Sequence, residues 1–190
     1  MHPDFDPQPT LNGDDLRLRP LAADDLEPLY SVARDPEVWA GHPARNRHER
    51  PVFEPYFDKL LQSRGTLAVT LARDGQVIGC SRYYPAPDEP QGIAIGYTFL
   101  GRDWWGGAVN FAMKRLMLEH AFASVDRIWL HIDPTNIRSQ KATAKLGARM
   151  VGEANLRLGG ADGLWQSWRL EAADWRALCA ASVRARPDGR

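Results

Sequence analysis

The chain has 190 residues, of which 44% are hydrophobic, and its 24 basic and 24 acidic side chains cancel. This length and composition suit one globular domain that buries its own core. The balanced charge argues against a nucleic-acid partner held by bulk attraction to phosphate. No apolar run approaches the ~20 residues that span a bilayer, and the polar N-terminus lacks a signal-peptide pattern. We therefore expect a cytoplasmic protein without nucleic-acid or membrane partners.

The two cysteines carry no sign of a metal site. Cys80 and Cys179 are isolated and show no CxxC spacing, so neither a zinc site nor a disulfide framework is indicated. Cys80 lies in an apolar stretch and is interpreted as a small core residue. The sequence therefore predicts that no metal is bound.

In the first third of the chain the sequence predicts an N-terminal tail followed by one strand and two helices. Residues 1–15 are polar and acidic and are interpreted as an N-terminal tail that pairs loosely or frays. Hydrophobic periodicity then predicts a strand at 16–19, a helix at 26–33 and a helix from about 49 or 53 to 62. Pro51 and Pro55 leave the first residue of the second helix open.

The rest of the chain alternates strand and helix patterns. Asp74 and Gly75 form a strong hairpin signal, and the helix that begins near Phe111 carries Lys114 on its polar edge. The predicted elements are strands at 67–71, 77–84 and 93–100, a helix at 111–122, a strand at 127–132, a helix at 136–146, strands at 150–158 and 164–170, and a helix at 172–184. This order favours an α/β (mixed α+β) class in which one mixed sheet is flanked by helices. We expect one domain over 16–184, followed by a C-terminal tail at 185–190.

A glycine-rich turn follows the central strand at 93–100. It contains Gly106, Gly107 and Ala108 directly before a helix, so a ligand can approach its backbone closely. The unpaired N–H groups at a helix start attract anions such as pyrophosphate. Many tight turns share this pattern, so by itself it also fits a turn with no ligand.

A second helix start follows the strand at 127–132. Asn136 can cap this helix, and Ser139 lies three residues on, where its hydroxyl would face the same cleft. Taken singly, Asn136 is better explained as an ordinary helix cap and Ser139 as a solvent-facing serine in the first turn.

Taken together, these segments resemble the GCN5-related N-acetyltransferase (GNAT) superfamily, in particular the branch of the ribosomal-protein alanine N-acetyltransferases. The resemblance extends from the strand at 16–20 to the helix around Trp175. It is sharpest at 95–100, at the Trp-Gly loop 104–110, and at 136–139 together with 145–148. Order and spacing of the motifs all agree with the superfamily.

The resemblance implies a single GNAT-like domain with a mostly antiparallel sheet and helices on both faces. It also implies acetyl-CoA as cosubstrate, with its pantetheine arm hydrogen-bonded along the central strand and its pyrophosphate held by the loop amides. The residues implied in cosubstrate binding are Thr98, Phe99, Leu100, Trp105, Gly106, Gly107, Ala108, Val109, Asn110, Asn136 and Ser139.

Two residues depart from the family pattern. Ala108 stands where a second glycine is usual, and it fits only if its backbone keeps a negative φ. Ala94 stands where related sequences commonly have a glutamate, which removes an obvious general base.

The catalytic assignments follow from what amine acylation requires. Ser139 is the best-placed hydroxyl to protonate the leaving thiolate, and Asn136 lies beside it. Glu153 is the nearest substitute base in the sequence, with Asp133 and His131 as further candidates. At pH 7 about 10–15% of an α-amine is neutral, against about 0.04% of a lysine amine. A site without a strong base therefore favours α-amines.

We expect an N-acetyltransferase that moves an acetyl group to a primary amine by direct attack on the thioester. The sequence does not decide between four classes of acceptor: a protein N-terminus, an amino acid, a polyamine and an aminoglycoside. The alternative is a degenerate sensor or scaffold that binds CoA without turnover, which Ala94 and Ala108 keep open. A homodimer through the sheet edges or the C-terminal helix is also left open.

Overall fold

A computed structural model describes residues 1–106, 108–159 and 161–184. Eight strands and five α-helices lie in this part of the chain. They are β1 (Leu11–Asn12), β2 (Leu16–Pro20), α1 (Leu26–Ala33), α2 (Arg50–Gln62), β3 (Thr66–Leu71), β4 (Val77–Pro85), β5 (Ile93–Leu100), α3 (Ala108–Ala121), β6 (Arg127–Ile132), α4 (Ile137–Ala144), β7 (Arg149–Leu158), β8 (Ala161–Glu171) and α5 (Ala172–Arg184).

All eight strands form one sheet, in the order β1-β2-β3-β4-β5-β6-β8-β7. Every neighbouring pair is antiparallel except β5 and β6, which are parallel. One hydrophobic cluster contains α3 residues and Trp175 of α5, and a second contains residues of α1 and α2. The predicted mixed sheet with flanking helices is therefore confirmed.

The helix and hairpin boundaries differ from the predictions at a few ends. Helix α2 begins at Arg50, with Pro51 in its first turn, where proline costs no intrahelical hydrogen bond. Helix α3 begins at Ala108, three residues before the predicted start. Strands β7 and β8 pair as far as Leu158 and Ala161, so the hairpin turn is tighter than the loop predicted at 159–163. Gly159, with φ 67°, allows this turn.

The segment expected as an N-terminal tail makes specific contacts. Strand β1 pairs with β2, and Phe5 is only 6% exposed. The Phe5 ring packs edge-on against Tyr83, with 4.9 Å between the ring centroids. An aromatic residue amid polar ones thus ties the segment to the core. The expected C-terminal tail, 185–190, lies outside the described residues.

Strands β5 and β6 diverge soon after they begin. Their pairing is limited to Ile93 with Ile128 and Ala94 with Trp129. On its other side β5 stays paired with β4, although the register shifts near Tyr97, whose φ is 52°. This bulge and the divergence leave a cleft in the middle of the sheet, with a strand edge on each side.

Candidate active site

The cleft between β5 and β6 is the mouth of a cavity of about 430 Å³. Strand residues from Ile95 to Thr98 and from Leu130 to Ile132 line it, and α3 and α4 contribute side chains. The loop between α1 and α2 and the β7–β8 hairpin also contribute lining residues. The helix and loop residues in its wall include His42, Arg47, Asn110, Lys114, Asn136, Ser139, Thr143, Asp162 and Trp165.

The cavity brings together several of the residues expected from the sequence. Thr98, Asn110, Asn136 and Ser139 all line it. The Asn136 side-chain oxygen accepts the Ser139 backbone N–H at 3.1 Å, so Asn136 caps α4 as predicted. The cap fixes the first turn of α4, and with it the position of Ser139, against the cavity.

Other expected residues do not present their side chains to the cavity. Phe99 and Leu100 are buried in the two hydrophobic clusters on opposite faces of the sheet. Only their backbone groups can therefore contact a ligand. Glu153 is exposed on the outer strand β7, accepts a hydrogen bond from Gln166 at 3.0 Å, and is not among the cavity-lining residues. The Glu153 side chain therefore lies outside the described cavity wall.

The Trp-Gly loop is held in place by two contacts of its second tryptophan, Trp105. The Trp105 indole N–H donates to the Leu100 carbonyl at 2.9 Å, and the Arg138 guanidinium stacks 3.9 Å from the ring centre. The left-handed backbone falls on Gly106, with φ 67°, whereas Ala108 is already helical. The alanine that replaces the usual glycine is therefore accommodated without a positive φ. Gly107 lies outside the described residues.

Lys114 was predicted on the polar edge of α3, and this prediction is wrong. Its side chain points inward and is only 7% exposed. The amino group donates to Thr98 Oγ1 at 2.8 Å and to Ser81 Oγ at 3.2 Å. Burial lowers the pKa of Lys114 to about 7. The sequence missed it because a lysine within a helix normally faces water.

A tyrosine, a histidine and an aspartate form a network at the cavity wall. The Tyr84 hydroxyl lies 2.7 Å from Nδ1 of His131, and Nε2 of His131 contacts a carboxylate oxygen of Asp88. The Ser167 hydroxyl donates to the other Asp88 oxygen at 2.6 Å. His131 was named from the sequence as a candidate base, but neither Tyr84 nor Asp88 was linked to it.

Cationic and acidic groups also line the cavity. Arg47 stacks 3.8 Å from the Tyr56 ring centre and lines the wall together with His42. Burial, reinforced by the Arg47 charge, lowers the pKa of His42 to about 4. Asp133 and Asp162 are further lining residues. Groups of opposite charge therefore line the same cavity.

Neither a metal-binding cluster nor a membrane-spanning helix is present among the described residues. No group of three or more His, Cys, Asp and Glu side chains is placed to hold a metal ion in this part of the chain. Nor does any described helix combine the length and the apolar character needed to cross a membrane.

A family model for the acetyltransferase (GNAT) domain matches residues 15–149, well over half of the chain. The chain belongs to the GNAT acetyltransferase family. The predicted family and enzyme class, an N-acetyltransferase, are thereby confirmed. No curated protein matches the sequence.

Solved structures of other GNAT proteins share the fold. A GCN5-related N-acetyltransferase from Brucella melitensis is 20% identical, with a TM-score of 0.78 over 93% of this chain and 85% of that one. A GNAT acetyltransferase from Bacillus anthracis is 15% identical, with a TM-score of 0.67 over 87% and 99%. Mycobacterium smegmatis RimJ, solved with CoA-disulfide, is 20% identical, with a TM-score of 0.67 over 96% and 98%. At these identities the likeness concerns the fold.

Proposed function

We propose that this GNAT protein transfers the acetyl group of acetyl-CoA to a primary amine by direct attack of the amine on the thioester. The observation that carries the proposal is the cavity between the diverging strands β5 and β6. One wall of this cavity is an unpaired edge of β5, and another is the start of α4 with Ser139. A linear amide-containing arm and a thioester fit such walls.

The cosubstrate end of the proposed site is the start of α3. The first four N–H groups of an α-helix lack intrahelical acceptors, and the helix dipole adds a partial positive charge there. Gly106 gives the loop before α3 a compact left-handed turn. The Arg138 guanidinium lies against Trp105 of the same loop and adds a full positive charge. These groups suit the pyrophosphate of CoA.

The pantetheine arm is proposed to lie along β5. Beyond Ala94 this strand has no pairing with β6, so its backbone groups on that side are free to bond a ligand. Such a contact adds a strand-like segment to a sheet edge. Thr98 and Asn110 line the same path.

Ser139 is proposed to protonate the leaving thiolate. The Ser139→Ala variant should lower kcat about 10- to 100-fold, because a single proton donor contributes on that scale or more. Its Kd for acetyl-CoA, measured by calorimetry, should change less than threefold. Ser124→Ala, in the turn after α3, is the control and should keep full activity. Unchanged turnover of Ser139→Ala would remove the hydroxyl from the mechanism.

The acceptor is proposed to bind near Asp133 and Asp162, which both line the cavity. Their negative charge favours an arriving ammonium group. The resemblance to ribosomal-protein alanine N-acetyltransferases makes peptide N-termini the first acceptors to test. An α-amine also loses its proton more readily than a lysine side chain.

The proposed function is tested by incubating the purified protein with acetyl-CoA and a panel of amines. The panel contains an alanine-initiated peptide, the same peptide with a blocked N-terminus and an internal lysine, spermidine and an aminoglycoside. Free-thiol release and product mass should show transfer to at least one amine, with the free N-terminus ahead of lysine. Tight binding of acetyl-CoA without transfer to any amine would overturn the proposal and favour the degenerate sensor.

A further inference from the structure

We propose that Tyr84, supported by His131 and Asp88, is the general base that removes a proton from the acceptor ammonium group. This inference rests on the proposed amine acetylation. It names a general base for a chain that has Ala94 in place of the glutamate common in related sequences. Tyr84 and His131 both line the cavity, whereas Asp88 acts through His131 as a positioning residue.

Tyr84 lies beside position 94, on the same face of the sheet. On the neighbouring strand it is the direct cross-strand partner of Ala94. Side chains of such partners point to the same face of the sheet, with Cβ atoms about 5 Å apart. Tyr84 and Ala94 also share one small buried cluster. The tyrosine hydroxyl therefore serves the same side of β5 as a glutamate at position 94.

Gly96 makes room for this tyrosine. A Cβ atom at Gly96 would lie 2.9 Å from Cε1 of Tyr84 and 3.2 Å from its hydroxyl oxygen. The ring thus crosses β5 at a residue without a side chain, next to the bulge at Tyr97. This places the hydroxyl where β5 and β6 separate and the cavity begins.

The hydrogen bonds give the network a direction. The Asp88 carboxylate only accepts, so it selects the His131 tautomer that carries its proton on Nε2. Nδ1 is then unprotonated and accepts the Tyr84 O–H at 2.7 Å. The free lone pair of the tyrosine oxygen is left for the acceptor. Ser167 holds the second Asp88 oxygen and fixes the carboxylate.

Proton movement along this network is concerted. Burial raises the pKa of Tyr84 above its usual value, so the hydroxyl stays protonated in the resting site. As the ammonium gives one proton to the tyrosine oxygen, the tyrosine gives its own proton to Nδ1 of His131. Asp88 stabilises the imidazolium that forms.

The rest of the reaction balances without another reagent. The neutral amine attacks the thioester carbonyl, so that a C–N bond forms and the C–S bond breaks. The second amine proton goes to the leaving thiolate through Ser139, and His131 releases the first proton to solvent. The products are the acetylated amine, the free thiol and one proton.

Two further groups face the network and enter its pH dependence. The Tyr97 ring packs edge-on against Tyr84 at 5.3 Å, and the Arg82 guanidinium lies 4.7 Å from the Tyr97 ring centre. Arg82 lies on β4 with Tyr84, and Tyr97 lies on the neighbouring strand β5. Neither is hydrogen-bonded to His131 in the described structure, where the ring nitrogens contact Tyr84 and Asp88.

The first test compares Tyr84→Phe with Tyr83→Phe. Tyr83 is the matched control because it lies on the opposite face and donates to the Met117 carbonyl at 2.7 Å, outside the cavity. With the alanine-initiated peptide, or the panel amine that turns over fastest, Tyr84→Phe should lose about 10²- to 10⁴-fold in kcat/KM at pH 7. The loss should shrink about tenfold per pH unit towards the acceptor pKa, since neutral amine then needs no base. Tyr83→Phe should keep at least half of the activity.

The second test reads the proton position without turnover. In ¹⁵N-histidine NMR spectra of the wild-type protein at a pH where His131 is neutral, the proton should reside on Nε2. Asp88→Asn replaces the acceptor with an amide that can donate to Nε2, so the proton should move to Nδ1. The same variant should lose about 10²- to 10⁴-fold in kcat/KM while its Kd for acetyl-CoA changes less than threefold.

The outcomes separate this inference from the proposed function. If the wild type acetylates an amine but Tyr84→Phe retains more than half of its kcat/KM, the base is elsewhere and the proposed function stands. A neutral wild-type His131 with its proton on Nδ1 also overturns the network. If the wild type transfers to no amine, the proposed function fails and the inference falls with it.

Discussion

Valine in place of Gly106 should weaken acetyl-CoA binding about a hundredfold while the rest of the fold is retained. Gly106 has φ 67°, a conformation that costs an L-residue about 1–2 kcal/mol and disfavours a β-branched residue still more. The loop should therefore relax to a negative φ. That change would displace the first-turn amides of α3 that we propose bind the pyrophosphate.

Calorimetry of acetyl-CoA binding tests this prediction, with Gly75→Val as the matched control. Gly75 has φ 74°, and like Gly106 it has no atom within 4 Å of an added Cβ. It lies in the hairpin turn between β3 and β4, away from the cavity wall. Both variants place a valine at a positive φ and so carry similar backbone strain, but only Gly106→Val should lose affinity for acetyl-CoA. Retained micromolar affinity in Gly106→Val would contradict the pyrophosphate assignment.

Replacing Lys114 with methionine should change how stability depends on pH. Burial lowers the pKa of Lys114 to about 7 in the folded chain, against an ordinary lysine pKa of 10.5. Between these values the unfolded chain binds one more proton than the folded chain, so a rise in pH stabilises the fold. The contribution is about 1.4 kcal/mol per pH unit, or about 4 kcal/mol from pH 7 to 10. Lys114→Met removes it.

Urea unfolding at several pH values between 6.5 and 9.5 measures this effect. The free energy of unfolding of the wild type minus that of Lys114→Met should rise with pH above 7 and be nearly flat below it. Lys59→Met, on the exposed side of α2, removes a solvated lysine and should show no such slope. A wild-type minus Lys114→Met difference that stays constant with pH would show that the buried amine remains charged.

The sheet and its helices could be predicted because their signals are local. Asp74 and Gly75 mark the β3–β4 turn, and apolar residues at helical spacing mark α3. The burial of Phe5 could not be predicted because it depends on Tyr83, far along the chain. Local composition carries no information about such a partner.

The candidate site could be predicted only in part, for the same reason. Asn136 and Ser139 belong to one helix start, so their spacing alone brings them together. Tyr84 and Asp88 are 47 and 43 residues from His131, and only the sheet order makes them neighbours. Asp88 lies in an acidic, proline-rich loop that gave no readable signal. Glu153 was chosen for its place in the sequence, but its strand turned out to be the outer one of the sheet.

The divergence of β5 and β6 has a consequence for how such a protein can change over evolution. Backbone N–H and C=O groups are the same at almost every residue, so a ligand that reads a strand edge tolerates substitutions along that strand. The amine, in contrast, would meet side chains such as Arg47, Asp133 and Asp162 in the cavity wall. Acceptor preference can therefore drift by mutation of these side chains, while recognition of the proposed acyl donor is inherited with the path of the main chain.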